Sequence, residues 1–222
     1  MSNLLKNYFV AFIDLLGFSS MVRHDCENPV SSQKYIDKLK AAHAKAKELQ
    51  DHLENLQLIQ FSDSIVLAIP YNRNNFDRFS KMVADYQYEL LKSNILCRGG
   101  ISYGMHHFEN DFLFSNGLIH AYNIEKDISI NPRIVISKDL IDLLHPDSPP
   151  EKNDLILKES DDSYFINYLH SRHQEEVWRC ISNIVPETLT SSPSIRGKHI
   201  WLINYYNHCF PDDIYRTVEI FT

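Results

Sequence analysis

Two aspartates in this chain stand where carboxylates can hold a metal. Asp14 closes the apolar and aromatic run NYFVAFID at 7–14, and Asp63 lies in the short polar centre of LQLIQFSDSIVLAIP at 56–70. A sheet that lays these runs side by side brings the two acids together, and they repel unless a positive charge lies between them. Hard oxygen ligands of this kind suit Mg2+ or Mn2+, which keep positions open for phosphate oxygens. The plain alternative is two unrelated capping or turn aspartates, since acids are common near turns. Arg98, at the head of RGGISYG, adds a cation to the same set of candidates.

These side chains need elements to position them. The run at 7–14 reads as a central strand that delivers an acid at its tip. Ser31 or Ser32 can cap a long helix reaching about Leu56, in which Tyr35, Leu39, Ala42, Ala46, Leu49 and Leu53 recur at three- and four-residue steps. Residues 56–70 form a hairpin with Asp63 near its turn. A helix at 75–93 follows, then the strand ILCRGGISYG, whose paired glycines permit close backbone approach. The string LIHAYNIEK within 112–126 is helical, 133–137 is a strand, and SKDLIDLL is a short helix behind it. A proline-rich boundary at 145–153 precedes a closing hairpin of 154–158 and 164–169. From Arg172 the pattern is helical, interrupted by SSPS at 191–194, with Ile200, Ile203, Tyr206 and Phe210 at helical spacing. This order predicts an α+β sandwich of the ferredoxin-like kind with a mixed or antiparallel sheet. It divides into a core domain at 1–170 and a helical C-terminal extension at 171–222 packed on it.

Composition narrows the function classes. The chain has 222 residues, 44% hydrophobic and 23% charged, enough for one large domain or one with an appendage, and not a disordered chain. Its 22 Lys and Arg against 29 Asp and Glu give a formal charge of −7, so it lacks the basic surplus that binds nucleic-acid backbone. No run approaches the roughly 18 apolar residues of a membrane span, which predicts a soluble protein. Cys26, Cys97, Cys180 and Cys209 form no CxxC pair, the pattern of reduced thiols in the cytoplasm. Glycine-rich phosphate motifs of the Walker type are absent. His106-His107 and His170-x-x-His173 lack partners at ligand spacing and read as exposed loop histidines rather than zinc ligands. Trp201, Tyr205 and Tyr206 read as core or dimer contacts.

Taken in order, FIDLLGFS, FSDS and RGGISYG resemble the signature blocks of class III nucleotidyl cyclases. More narrowly, FSDS, RGGIS, HAYNIE, YFINYL and WLINYYN look like the bacterial Pycsar pyrimidine cyclases of antiphage defence. The resemblance implies that Asp14 and Asp63 bind two Mn2+ or Mg2+ ions with the carbonyl of Leu15 as a supplementary ligand. It implies that backbone N–H groups of Leu16, Gly17 and Phe18 hold triphosphate oxygens. Arg98 matches a phosphate-contacting arginine, or else is a strand arginine paired to a neighbouring acid. The implied reaction is attack of a ribose 3′-hydroxyl on the α-phosphate, converting UTP, or alternatively CTP, to a 3′,5′-cyclic monophosphate in a homodimer. The product would be a diffusible signal for a separate effector.

Two departures matter. Purine cyclases usually carry a lysine where this chain has Ile59, and an Asn and Arg pair on the helix of residues 118–125. Aligning HAYNIE on that helix puts Ile119 and Asn123 at those places. A purine-reading site is therefore not expected. The candidates for the missing transition-state donor are Arg98, His120 and Asn123, the last two alternatively lying on a solvated helix face. A reading of another class is a silent, nucleotide-binding regulatory domain.

Overall fold

The computed structural model describes residues 4–27, 33–50, 53–147, 150 and 154–215. Strand β1 (Lys6–Leu15) is the spine of the sheet. Its alternate residues point to opposite faces, and Phe9, Val10, Ala11 and Ile13 are all fully buried, as befits a strand covered on both sides. Helices α1 (Phe18–Glu27) and α2 (Lys34–Gln50) follow. A hairpin of β2 (Gln57–Phe61) and β3 (Ser64–Pro70) comes next. A 3-10 turn at Arg73–Asn75 leads into α3 (Phe76–Lys92). A second hairpin pairs β4 (Cys97–Glu109) with β5 (Phe112–Ser115). Helix α4 (Asn116–Asp127), strand β6 (Ile134–Ile136) and helix α5 (Lys138–Leu144) precede the closing hairpin of β7 (Ile156–Lys158) and β8 (Tyr164–Ile166). Helices α6 (Gln174–Ile184) and α7 (Pro193–Cys209) complete the described chain. No helix among the described residues is long and apolar enough to cross a membrane.

The sheet runs β2-β3-β1-β4-β6-β8-β7, with β5 joined to β4. Among the described residues only β4 and β6 pair in parallel, so the sheet is mixed and the fold is the expected α+β class. One face carries Phe9, Ala11, Ile13 and Leu15 into a large core shared with α2, α3, α5, α6 and α7. There Ala42, Phe79, Leu140, Val177 and Leu202 supply one buried contact from each helix. The other face carries Val10, Phe12, Val66 and Ala68, and α4 covers it through Ala121. Helix α4 comes so close because β4 offers only Gly100, Gly104 and the small Ser102 beneath it, whose hydroxyl donates to the carbonyl of Gly117 at 2.6 Å. A Cβ on Gly100 would lie 2.3 Å from the carbonyl oxygen of Ala121, and one on Gly104 would lie 2.6 Å from Asn116 Oδ1.

Several elements depart from expectation. The segment after Asp14 forms α1, and α2 ends at Gln50 rather than near Leu56; a turn with Asn55 at φ 65° separates it from β2. The expected caps Ser31 and Ser32 lie outside the described residues. Strand β4 runs past Gly104 to Glu109 and turns through Asn110 and Asp111, both at positive φ, into β5. The Ser/Pro patch is a helix start: Ser192 is the N-cap of α7 and Pro193 its first residue, where a missing N–H costs nothing.

Candidate active site

The site is built where β1 ends and β3 and β4 begin. Antiparallel register sets Asp14 opposite Ser64 on β3 and opposite Arg98 on β4. The β2–β3 connection is a two-residue turn, Ser62-Asp63, with Ser62 at φ 53°. Its first central residue thus takes the left-handed conformation that tight hairpins require. The N–H of Leu15 donates to the carbonyl of Asp63 at 3.0 Å, which fastens the turn to the end of β1 and sets both aspartates at one edge. Both are part-buried. Burial raises the Asp14 carboxyl above its ordinary value, Arg98 opposes this, and the charge of Asp63 raises it further. That last effect is the mutual repulsion expected of two neighbouring acids.

Chain reversal after β1 depends on Gly17, whose φ of 80° is a conformation that L side chains rarely adopt. Its carbonyl accepts from the N–H groups of Ser20 and Met21 as α1 begins. The first N–H groups of a helix have no intrahelical acceptor, which leaves those of Gly17 and Phe18 at an anion-friendly terminus. Leu16 differs: its N–H already donates to the carbonyl of Leu96 at 2.8 Å. Of the three expected phosphate-holding amides, that one is committed to the fold.

Arg98 is shared between two acids. Its Nε donates to Asp14 Oδ2 at 3.5 Å, and its Nη2 lies 2.6 Å from Glu125 Oε1. The second contact is close but off the hydrogen-bond axis, so Oε1 has no aligned donor. Glu125 on α4 is 4% exposed; burial raises its carboxyl and Arg98 opposes this. The sequence reading missed Glu125. Gly117, Ala121 and Glu125 are the buried residues of α4, one every four positions. This stripe, two small residues facing the glycines of β4, was a signal that could have found it.

The other polar residues proposed on α4 lie elsewhere. His120 and Asn123 are exposed and line a cavity of about 490 Å3 with Asn7, Ser102, Asn116 and Asp139. They do not flank Asp14 in this chain, because they sit on the helix flank turned away from Glu125. Ile119 is 59% exposed. Ile59 pairs with Val66 and packs on the apolar face beneath α4, so β2 presents no amine there. On α7, burial and then the charge of Arg98 lower the Lys198 ammonium pKa. Its Nζ donates to Ser194 Oγ at 2.8 Å.

The remaining temptations resolve in the core. His106 is not a loop histidine; it is 1% exposed on β4, paired with Gln57 at 2.8 Å and tilted against Tyr8 at 4.8 Å. Tyr205 and Tyr206 are core, and all four cysteines are free thiols.

No protein-family model matches the sequence, and no curated protein matches it with significance. Solved structures do match in fold. The adenylyl cyclase CyaB from P. aeruginosa superposes with a TM-score of 0.55 at 14% identity, covering 76% of this chain and 96% of that one. The catalytic core of a rhodopsin-guanylyl cyclase with converted specificity, in complex with ATPαS, gives 0.52 at 13%, covering 73% and 96%. A guanylyl cyclase domain of the RhoGC fusion protein from the aquatic fungus Blastocladiella emersonii, in an atypical dimeric form, gives the same values. The architecture is therefore that of the class III nucleotidyl cyclase catalytic core.

The donor set fits a hard divalent cation. Among the described residues no group of three or more His, Cys, Asp or Glu is placed to hold a metal. Asp14 and Asp63, with the Leu15 carbonyl between them in the chain path, would leave most of a cation's coordination to water and phosphate oxygens. That is the arrangement Mg2+ and Mn2+ prefer at nucleotide sites.

Proposed function

We propose that this protein is a pyrimidine nucleotidyl cyclase, a lyase that converts UTP to 3′,5′-cyclic UMP and diphosphate, with CTP as the alternative substrate. The observation that carries this reading is the fastening of Asp14 and Asp63 at one sheet edge, with Arg98 directly across from Asp14. When bound, two Mn2+ or Mg2+ ions at these aspartates would acidify the 3′-hydroxyl and offset charge on the reacting phosphate. The 3′-hydroxyl gives its proton to solvent as its oxygen bonds to the α-phosphorus, the bond from the α-phosphorus to the bridging β-phosphate oxygen breaks, and diphosphate leaves with the electron pair. The residues of this chain position the triphosphate: the N–H groups of Gly17 and Phe18 at the start of α1, and the guanidinium of Arg98. A pyrimidine substrate is supported by Ile59, an apolar residue where a purine-reading lysine would be needed.

A homodimer is supported by large exposed apolar side chains on the side that α4 and β5 present: Phe112, Phe114, Ile119 and Tyr122. The roles in antiphage signalling, a separate effector reached by the diffusible product and a cytoplasmic location are part of the same reading. So is the division into a cyclase core at 1–170 and an extension at 171–222. A silent, nucleotide-binding domain is the second reading, favoured by Arg98 being engaged by two acids and by Ile119 and Asn123 standing where the Asn and Arg pair would be.

The test is incubation of the purified protein with ATP, GTP, CTP or UTP plus Mn2+, with products resolved by mass and chromatography. Cyclic UMP is expected from the native chain, and Asp63→Ala is expected to lose turnover about 100- to 1,000-fold. Unchanged turnover in Asp63→Ala overturns the metal reading, and binding without turnover in the native chain selects the silent domain.

A further inference from the structure

The guanidinium of Arg98 stands nearer to Glu125 than to Asp14, 2.6 Å against 3.5 Å. Glu125 cannot move away. Its helix rests on the sheet with the carbonyl of Ala121 pressed against Gly100, and its side chain is 4% exposed. A carboxylate at that depth is tolerable only when a cation accompanies it, and Arg98 is the cation in contact. The two residues therefore hold one another. Asp14 receives a single long hydrogen bond, from Nε at 3.5 Å, where a guanidinium can grip one carboxylate with two parallel bonds.

We propose that Glu125 is a positioning residue that holds the Arg98 guanidinium back from Asp14, so that Asp14 is free to bind a divalent cation. The proposal rests on the metal-binding reading of Asp14 and Asp63 given above. Without the charge of Glu125, Asp14 becomes the best remaining partner for Arg98. The pair then closes into a bidentate bridge that competes with the metal. Glu125 acts through Arg98, so its effect must vanish when Arg98 is gone, whereas a mere nearby negative charge would act whether or not Arg98 is present.

The experiment is titration with Mn2+ alone, following the free-ion signal by electron paramagnetic resonance, on the native chain, Glu125→Gln, Arg98→Met and the double variant. Glu125→Gln is expected to weaken Mn2+ binding about tenfold, the size of a one-charge coupling between contacting residues. Arg98→Met is expected to bind Mn2+ at least as tightly as the native chain. In the Arg98→Met background, Glu125→Gln is expected to change binding less than about twofold. Equal losses in both backgrounds, or no loss in either, overturn the proposal. Glu125→Asp keeps the charge and carries the test if Glu125→Gln misfolds: binding within about twofold of native supports the proposal, and a tenfold loss overturns it. A native chain that binds Mn2+ and turns over nucleotide beside an unaffected Glu125→Gln sinks this inference alone. A native chain that binds no Mn2+ sinks the functional reading and this inference with it.

Discussion

Substituting two glycines should move stability in opposite directions. A Cβ at Gly100 would lie 2.3 Å from the carbonyl oxygen of Ala121, 2.8 Å from Ile124 Cβ and 3.0 Å from Ile124 Cγ2. The first distance is about 1 Å short of ordinary contact. None of these atoms is the free end of a flexible side chain, so Gly100→Ala can be accommodated only by lifting α4 from β4. Overpacking of this kind costs about 1 to 3 kcal/mol, and a backbone clash belongs at the upper end, about 3 kcal/mol. For a chain of this length each kcal/mol moves Tm by roughly 2 to 4 °C, so a fall of about 6 to 12 °C is expected. Gly197 lies within α7 with nothing within 4 Å of its would-be Cβ. Gly197→Ala should therefore gain about 0.5 to 1 kcal/mol from reduced chain entropy and raise Tm by about 1 to 4 °C. Thermal melts followed by far-UV circular dichroism at one protein concentration give both numbers. A Gly100→Ala protein melting within about 2 °C of native would refute the close packing of α4 on the sheet.

Two further outcomes follow from buried charge. Burial, and then the neighbouring charge of His107, push the His106 imidazole down from 6.5 to about 4. Between those values the unfolded chain binds a proton that the folded chain refuses, so stability is full above pH 6.5 and is lost as pH falls toward 4. The loss should be roughly 2 to 3 kcal/mol in urea titrations, and His106→Gln should abolish that slope; an unchanged slope would show that other groups cause it. Arg133 is 2% exposed, donates to Glu159 and holds Asp161 at 2.6 Å. Arg133→Met should cost about 2 kcal/mol, less than for a fully buried pair because Asp161 stays half-exposed. Arg133 also holds the Asp161 carboxyl well below its usual range, which adds stability above about pH 4 that fades as pH falls further. The variant should lose that acid-sensitive part, and equal acid titrations of native and variant would contradict it.

The parts of the site legible in the sequence are those carried by strand ends. An apolar run that stops at an acid marks a strand tip, and that pattern placed Asp14 on β1 and Asp63 at the β2–β3 turn. Strand register did the rest: β4 pairs with β1 so that Arg98 faces Asp14. What could not be read was which members of a helix face the sheet. His120 and Asn123 are the polar residues of the helix aligned with the missing Asn and Arg pair, yet polarity in a helix marks the side away from the core at least as often as a site.

The hidden residue was the one whose type contradicted its place. Glu125 looks like part of the solvated face of NIEKD, but it extends the stripe of Gly117 and Ala121 by one turn, and that stripe is fixed by the glycines of β4. His106 follows the same logic. A pattern that ends the strand at Gly104 leaves it in a loop, whereas the strand continues to Glu109 and its alternation turns His106 inward, opposite Lys6. In both cases the residue lies just beyond a glycine of β4 that α4 approaches closely. A glycine in a strand says that something packs tightly there, and the residues worth suspecting are those one helical turn beyond, or two strand positions beyond, the point of contact.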